Sequence, residues 1–139
     1  MREKLTHHKA NQYSPLSLAF LGDSVYDTLV RESLLKMANM PVSKLHSLKI
    51  EMVCAEFQSK VYDAIISELS ENEITILKRG RNATGNTVPK HSNVVDYRKA
   101  TALECLFGYL YLTGENGRIY ELFNYILINL SENIFDRSE

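Results

Sequence analysis

Two acidic side chains in this sequence stand where an acid is costly. Asp23 follows a glycine in LAFLGDSVYD (residues 18–27), and Glu104 lies in ATALECLFGYLYL (residues 100–112). Leu18, Leu21, Val25 and Leu29 recur three and four residues apart, which marks the buried face of an amphipathic helix, and Asp23 falls at the border of that face. Its helical neighbours at three and four residues are Ala19, Phe20, Tyr26 and Asp27, none of them basic. Glu104 repeats the pattern with Ala100, Thr101, Phe107 and Gly108. Other acids nearby do have partners, since Arg31 follows Asp27 by four residues and Lys36 follows Glu32 by four. An ionised carboxylate left unpaired at an apolar border either shifts its pKa or finds a cation. Taken singly, each acid is also open to a plainer reading, a half-exposed side chain with a water shell or a partner on another helix. If the two face each other, they form an oxygen-only site suited to Mg²⁺. Such an ion polarises a phosphodiester oxygen, lowers the pKa of a bound water and orients in-line attack.

The elements that must position these acids are helical. Ser14-Pro15 is an N-cap followed by proline at the first helical position, and the helix it opens should run to about Ala38, with Asn39 and Pro41 ending it. From Ser43, Leu45, Leu48, Met52 and Ala55 form one stripe and Phe57, Val61, Ile65 and Leu69 another. The phase changes near residues 53–57, consistent with two helices or one bent one. Ser70 and Glu73 form a capping box; the short helix it starts should turn Ile74 and Leu77 inward and stop at Gly80. A further helix is expected from Val94 or Asp96 to Thr113, with Ala100, Leu103, Phe107, Leu110 and Tyr111 as its apolar face and Gly114 as its stop. The last should span about Asn116 to Ile134. No segment alternates at period two for long, so the sequence predicts an all-α fold. At 139 residues with 45% hydrophobic content it suits a single domain, residues 1–139, in which a polar leader of residues 1–12 is expected to be poorly ordered. The tyrosines read mostly as amphipathic boundary residues.

Charge distribution points to the partner. Net charge is only −1, yet residues 78–99 carry six bases (Lys78, Arg79, Arg81, Lys90, Arg98, Lys99) against Asp96, a local charge of +5 that leaves −6 for the remainder. Such asymmetry suits a phosphate backbone. Within it, residues 80–93 (GRNATGNTVPKHSN) form a long loop rich in Gly, Asn, Thr and Pro. Its Arg81, Asn82, Asn86, Lys90 and His91 fit contacts to phosphate and sugar hydroxyls, the alternative being a solvated flexible loop. Cys54 and Cys105 lie far apart without a CxxC, as expected of two buried small hydrophobes. There is no P-loop, GxSxG or HExxH motif. No signal-like start or membrane-spanning run is present, so a soluble, cytoplasmic protein is expected. Acids and basic loop together imply a metal-dependent phosphodiesterase acting on nucleic acid.

These segments resemble a known family. LAFLGDSVYD is similar to the signature helix of ribonuclease III, and ATALECLFGYLYL resembles that family's second catalytic helix, with Glu104 at the position of its essential glutamate. KRGRNATGNTVPK and YRKATALE bring the resemblance closest to the Mini-ribonuclease III branch, over nearly the whole chain. The resemblance implies a ribonuclease III-like helical domain in which Asp23 and Glu104 are the catalytic, Mg²⁺-binding acids; grip on RNA then falls to the 78–99 segment, where Arg79, Arg81, Asn82, Lys90, His91, Tyr97 and Arg98 are the candidates for RNA contact. Two departures from the fuller ribonuclease III pattern, Ala19 in place of a glutamate and Thr101 in place of an aspartate, agree with the Mini branch and imply a more weakly held ion. The resemblance further implies a homodimer that cuts both strands of double-stranded RNA to leave 5′-phosphate and 3′-hydroxyl ends, with a role in maturing the ends of 23S ribosomal RNA precursor. No double-stranded-RNA-binding domain is expected after the last helix. The alternative is a catalytically silent ribonuclease III-like module that binds or scaffolds RNA, against which the retention of both acids argues. A helical protein-interaction domain is a third reading, disfavoured by the basic cluster.

Overall fold

The computed structural model describes residues 3–84, 87–132 and 134, and every regular element among these is helical, as the sequence predicts. The order is α1 (His7–Asn11), α2 (Pro15–Met37), α3 (Val42–Val53), α4 (Ala55–Ile65, continued by a 3-10 turn at Ile66–Glu68), α5 (Glu71–Arg81), α6 (Val94–Leu112) and α7 (Asn116–Leu130). Ser14, Ser70 and Asn93 cap α2, α5 and α6 with their side-chain oxygens. Both hydrogen bonds of the Ser70–Glu73 capping box are made.

The core is built around α6. From Ala100 to Leu110 every residue except Glu104 is buried, so the helix is enclosed by α2, α5 and α4 and does not present the one apolar face read from its sequence. Small residues make this enclosure possible. A Cβ on Gly22 of α2 would overlap the carbonyl oxygen of Glu104, and one on Gly108 of α6 would overlap the carbonyl oxygen of Leu18. The two helices therefore touch backbone to backbone. Gly80 acts similarly and does not stop α5, which continues to Arg81. A Cβ there would lie 2.7 Å from Cys105 Cβ and 2.8 Å from Ala102 Cα, so the glycine is a packing surface for α6.

The open question between Val53 and Phe57 resolves as two helices. Cys54 is extended (φ −68°, ψ 154°) and the chain turns there, leaving Cys54 exposed, contrary to the sequence reading, while Cys105 is buried. Part of the leader packs on the core. Thr6 caps α1, Ala10 is buried, Leu5 N–H donates to Leu112 O (2.7 Å), and His7 Nδ1 lies 2.7 Å from the Tyr109 hydroxyl. The polar groups of this segment meet a buried tyrosine, with Asn11 Nδ2 also 3.5 Å from the Tyr109 hydroxyl. Tyr26, Tyr62 and Tyr109 are themselves core residues and not boundary ones, with the Tyr26 hydroxyl donating to Met52 O (2.8 Å). Glu73 both caps α5 and receives the Arg118 guanidinium through two bonds of 2.9 Å, tying α7 to α5. This arginine holds the Glu73 carboxyl below its usual range, overcoming the opposing effect of burial.

Candidate active site

Asp23 and Glu104 are brought together by the crossing of α2 and α6. Gly22, immediately before Asp23, rests on the backbone carbonyl of Glu104, so the two acids flank the point of closest approach. Their carboxyl groups are within hydrogen-bonding reach of each other. Burial, first, and then the hydrogen bond and the charge of Asp23 push the Glu104 carboxyl up to about 8, against the opposing effect of the Gln58 amide. Asp23 is exposed at the mouth of a cleft of about 550 Å³ into which Glu104 faces from the wall. Neither acid has a basic partner among the described residues, and the cleft contains no lysine, arginine or histidine.

A third polar side chain shares this cleft. Gln58 of α4 is 3% exposed, and its amide N–H₂ donates to Val53 O (2.9 Å) and to Glu104 Oε2 (3.5 Å). Its Oε1 is buried without a hydrogen-bond partner. Leaving such a carbonyl unpaired costs about 1–3 kcal/mol. The sequence reading passed over Gln58; the available signal was an amide beside Phe57, on a segment whose other stripe residues are apolar. Ala19 and Thr101 line the same cleft, and the Thr101 hydroxyl is already committed to Tyr97 O (3.1 Å). Two adjacent carboxylates form a hard, oxygen-only donor pair of the kind Mg²⁺ takes together with water. No group of three or more His, Cys, Asp or Glu side chains is poised for a metal among the described residues, so the acids of this site number two.

The candidate RNA-contacting residues divide into three settings. Tyr97 lines the cleft with the two acids. Arg79 and Arg81 have partners within the protein: Arg79 donates to Asn11 O (3.4 Å) and Tyr13 O (3.3 Å), and Arg81 to the Tyr62 hydroxyl (3.1 Å) and Asn82 Oδ1 (3.3 Å). Asn82 is the C-cap of α5. Lys90, His91 and Arg98 are exposed. Asn86 lies outside the described residues. Phe20, which the sequence reading did not single out, also lines the cleft and is 85% exposed.

Comparison with known proteins supports the same class. The ribonuclease III domain model matches residues 16–115, which span α2 through α6 and both acids. The fold is similar to an X-ray crystal structure of a Fusobacterium nucleatum protein, with a TM-score of 0.76 and 34% identity over 84% of this chain and 93% of that one. Proteins called Mini-ribonuclease 3 align over most of their length. That of Thermoanaerobacter sp. is 44% identical, covering 84% of this chain and 82% of the relative, and that of Clostridium tetani is 40% identical, covering 94% and 86%. The chain therefore belongs to the Mini-ribonuclease III branch of the ribonuclease III family, and membership makes it an endoribonuclease. No helix among the described residues is long and apolar enough to cross a membrane.

Proposed function

We propose that the protein is a Mg²⁺-dependent endoribonuclease that cleaves double-stranded RNA, with maturation of 23S ribosomal RNA precursor ends in the cytoplasm as its cellular role. The observation that carries this reading is the pairing of Asp23 with Glu104 in a cleft that offers them no cationic side chain. Asp23 and Glu104 would hold the ion. Mg²⁺, when bound, supplies the positive charge that polarises a phosphodiester oxygen and orients an attacking water.

The chain's own residues set the remaining conditions. With no cation bound beside it, Glu104 keeps its proton to about pH 8. Gly22 and Gly108 fix the spacing of the helices that bear the acids. Lys90, His91 and Arg98 offer exposed cationic or polar contacts to the RNA backbone; Tyr97 borders the cleft, while Arg79, Arg81 and Asn82 shape the edge from which these contacts extend. Phe20, three residues before Asp23 and almost fully exposed, supports a homodimer, since a large apolar side chain beside a catalytic cleft is stabilised by a second copy covering it. Two such sites would act on the two strands of a duplex.

The test is incubation of purified protein with a long RNA duplex, with and without Mg²⁺, followed by mapping of product ends. Mg²⁺-dependent cuts in both strands bearing 5′-phosphate and 3′-hydroxyl termini are expected. Binding without cutting would leave the RNA-binding module in its place.

A further inference from the structure

Gln58 Oε1 is the one buried side-chain polar atom without a hydrogen-bond partner among the described residues. Its orientation is fixed by the other end of the amide. The nitrogen donates to Val53 O and Glu104 Oε2, and exchanging nitrogen and oxygen would set the amide oxygen 2.9 Å from the Val53 carbonyl oxygen, which is an acceptor in every protonation state. The Val53 carbonyl belongs to the end of α3, so the break at Cys54 holds the base of this arrangement in place. The side chain thus stands in the wall of the cleft containing Asp23 and Glu104, with its acceptor unused.

We propose that Gln58 is a cation-binding residue, contributing Oε1 as a neutral third oxygen beside the carboxylates of Asp23 and Glu104. This rests on the divalent-cation reading given above. The surrounding chemistry favours an amide in this role. Ala19 has no donor atom, and although Ser92, Tyr97 and Thr101 bring hydroxyls to the same cleft, Gln58 Oε1 is the buried oxygen there that no hydrogen bond claims. A third carboxylate would repel the other two whenever the ion is absent, whereas an amide adds a hard oxygen without adding charge.

The experiment uses the whole, RNA-free protein and three forms: wild type, Gln58→Leu and Gln58→Glu. Mn²⁺ binding is measured by calorimetric titration, and the rise in Tm on adding Mg²⁺ by thermal unfolding. Gln58→Leu should bind Mn²⁺ about tenfold more weakly with an unchanged helical circular dichroism spectrum. Gln58→Glu should bind more tightly than wild type and show a larger Mg²⁺-induced rise in Tm. A purely structural glutamine would lower the metal-free Tm in both variants while leaving Mn²⁺ affinity and the Mg²⁺-induced rise equal to wild type, and that result overturns the assignment. Should Gln58→Leu fail to fold, the comparison of Gln58→Glu with wild type still decides. Wild-type protein that binds neither ion would overturn the cation site itself, and Gln58's part with it; wild-type binding matched by both variants overturns only the part given to Gln58.

Discussion

The acid pair and the basic segment of residues 78–99 are built by opposite means. Asp23 and Glu104 come from two long helices, and their proximity follows from glycines that let α2 and α6 touch through their backbones. The bases come from the end of α5, a loop and the start of α6, and several are bound to their own protein: Arg79 to the carbonyls of Asn11 and Tyr13, Arg81 to Tyr62, and Lys99 to Asp63 (2.7 Å) with its ammonium 5.4 Å from the Tyr62 ring centroid. A charged residue in a basic run is thus not equivalent to a free contact for RNA. The acid site is defined by position, the basic surface by which charges remain uncommitted.

The contrast can be broken at several points. Asp23→Asn should lower duplex-RNA cleavage by about a thousandfold or more, the loss of several kcal/mol of charge stabilisation. Circular dichroism and RNA binding should stay near wild type, and near-normal cleavage would remove the acid pair from the mechanism. Gly22→Val should cost roughly 3 kcal/mol or more of stability, because a side chain there meets a peptide carbonyl and not a yielding side chain. Urea unfolding measures this, and an unchanged midpoint would show that the helices do not depend on that contact.

The pH dependence comes from Glu104. In the folded, metal-free protein its carboxyl keeps a proton up to about pH 8, whereas its ordinary value is 4.5. The folded state therefore binds more protons between these values, so this group's contribution to stability is greatest below about pH 4.5 and declines as pH rises to about 8. Divalent cation should displace that proton, so its affinity should increase with pH across the same window. Calorimetry in buffers of different ionisation enthalpy measures the release, and Glu104→Gln should abolish it.

The smallest effects should separate the bases. Lys90→Ala with Arg98→Ala should weaken duplex binding several-fold and reduce the salt slope by about one for each phosphate left without its cationic side chain. Arg79→Ala should instead cost about 1 kcal/mol of stability, the worth of its hydrogen bonds, with a smaller change in salt slope. Equal salt slopes for the two sets would erase the distinction between bound and uncommitted charges.

Much of this architecture was legible because its signals are local. Ser14, Ser70 and Glu73 announce helix starts by chemistry confined to one turn, and the spacing around Asp23 and Glu104 exposes the lack of an intrahelical base. What escaped the sequence depends on distant contacts. Gly80 reads locally as a helix stop, and only Ala102 and Cys105 on another helix make it a packing surface. Gln58 looks like an ordinary polar residue until Val53 and Glu104 claim its nitrogen and leave its oxygen unpaired. His7 reads as part of a polar leader, and the Tyr109 hydroxyl that anchors it is 102 positions away.

The contact of Gly22 and Gly108 with peptide carbonyls also bears on how this protein can change over time. Where helices meet through side chains, lineages can drift by trading a large residue for a smaller one and back again. Here there is no side chain to trade, so any substitution at either glycine must push the backbones apart and alter the gauge of the acid pair, a constraint that exposed loops and surface charges do not carry. New preferences for RNA would thus arise at the rim of the cleft and leave its floor alone.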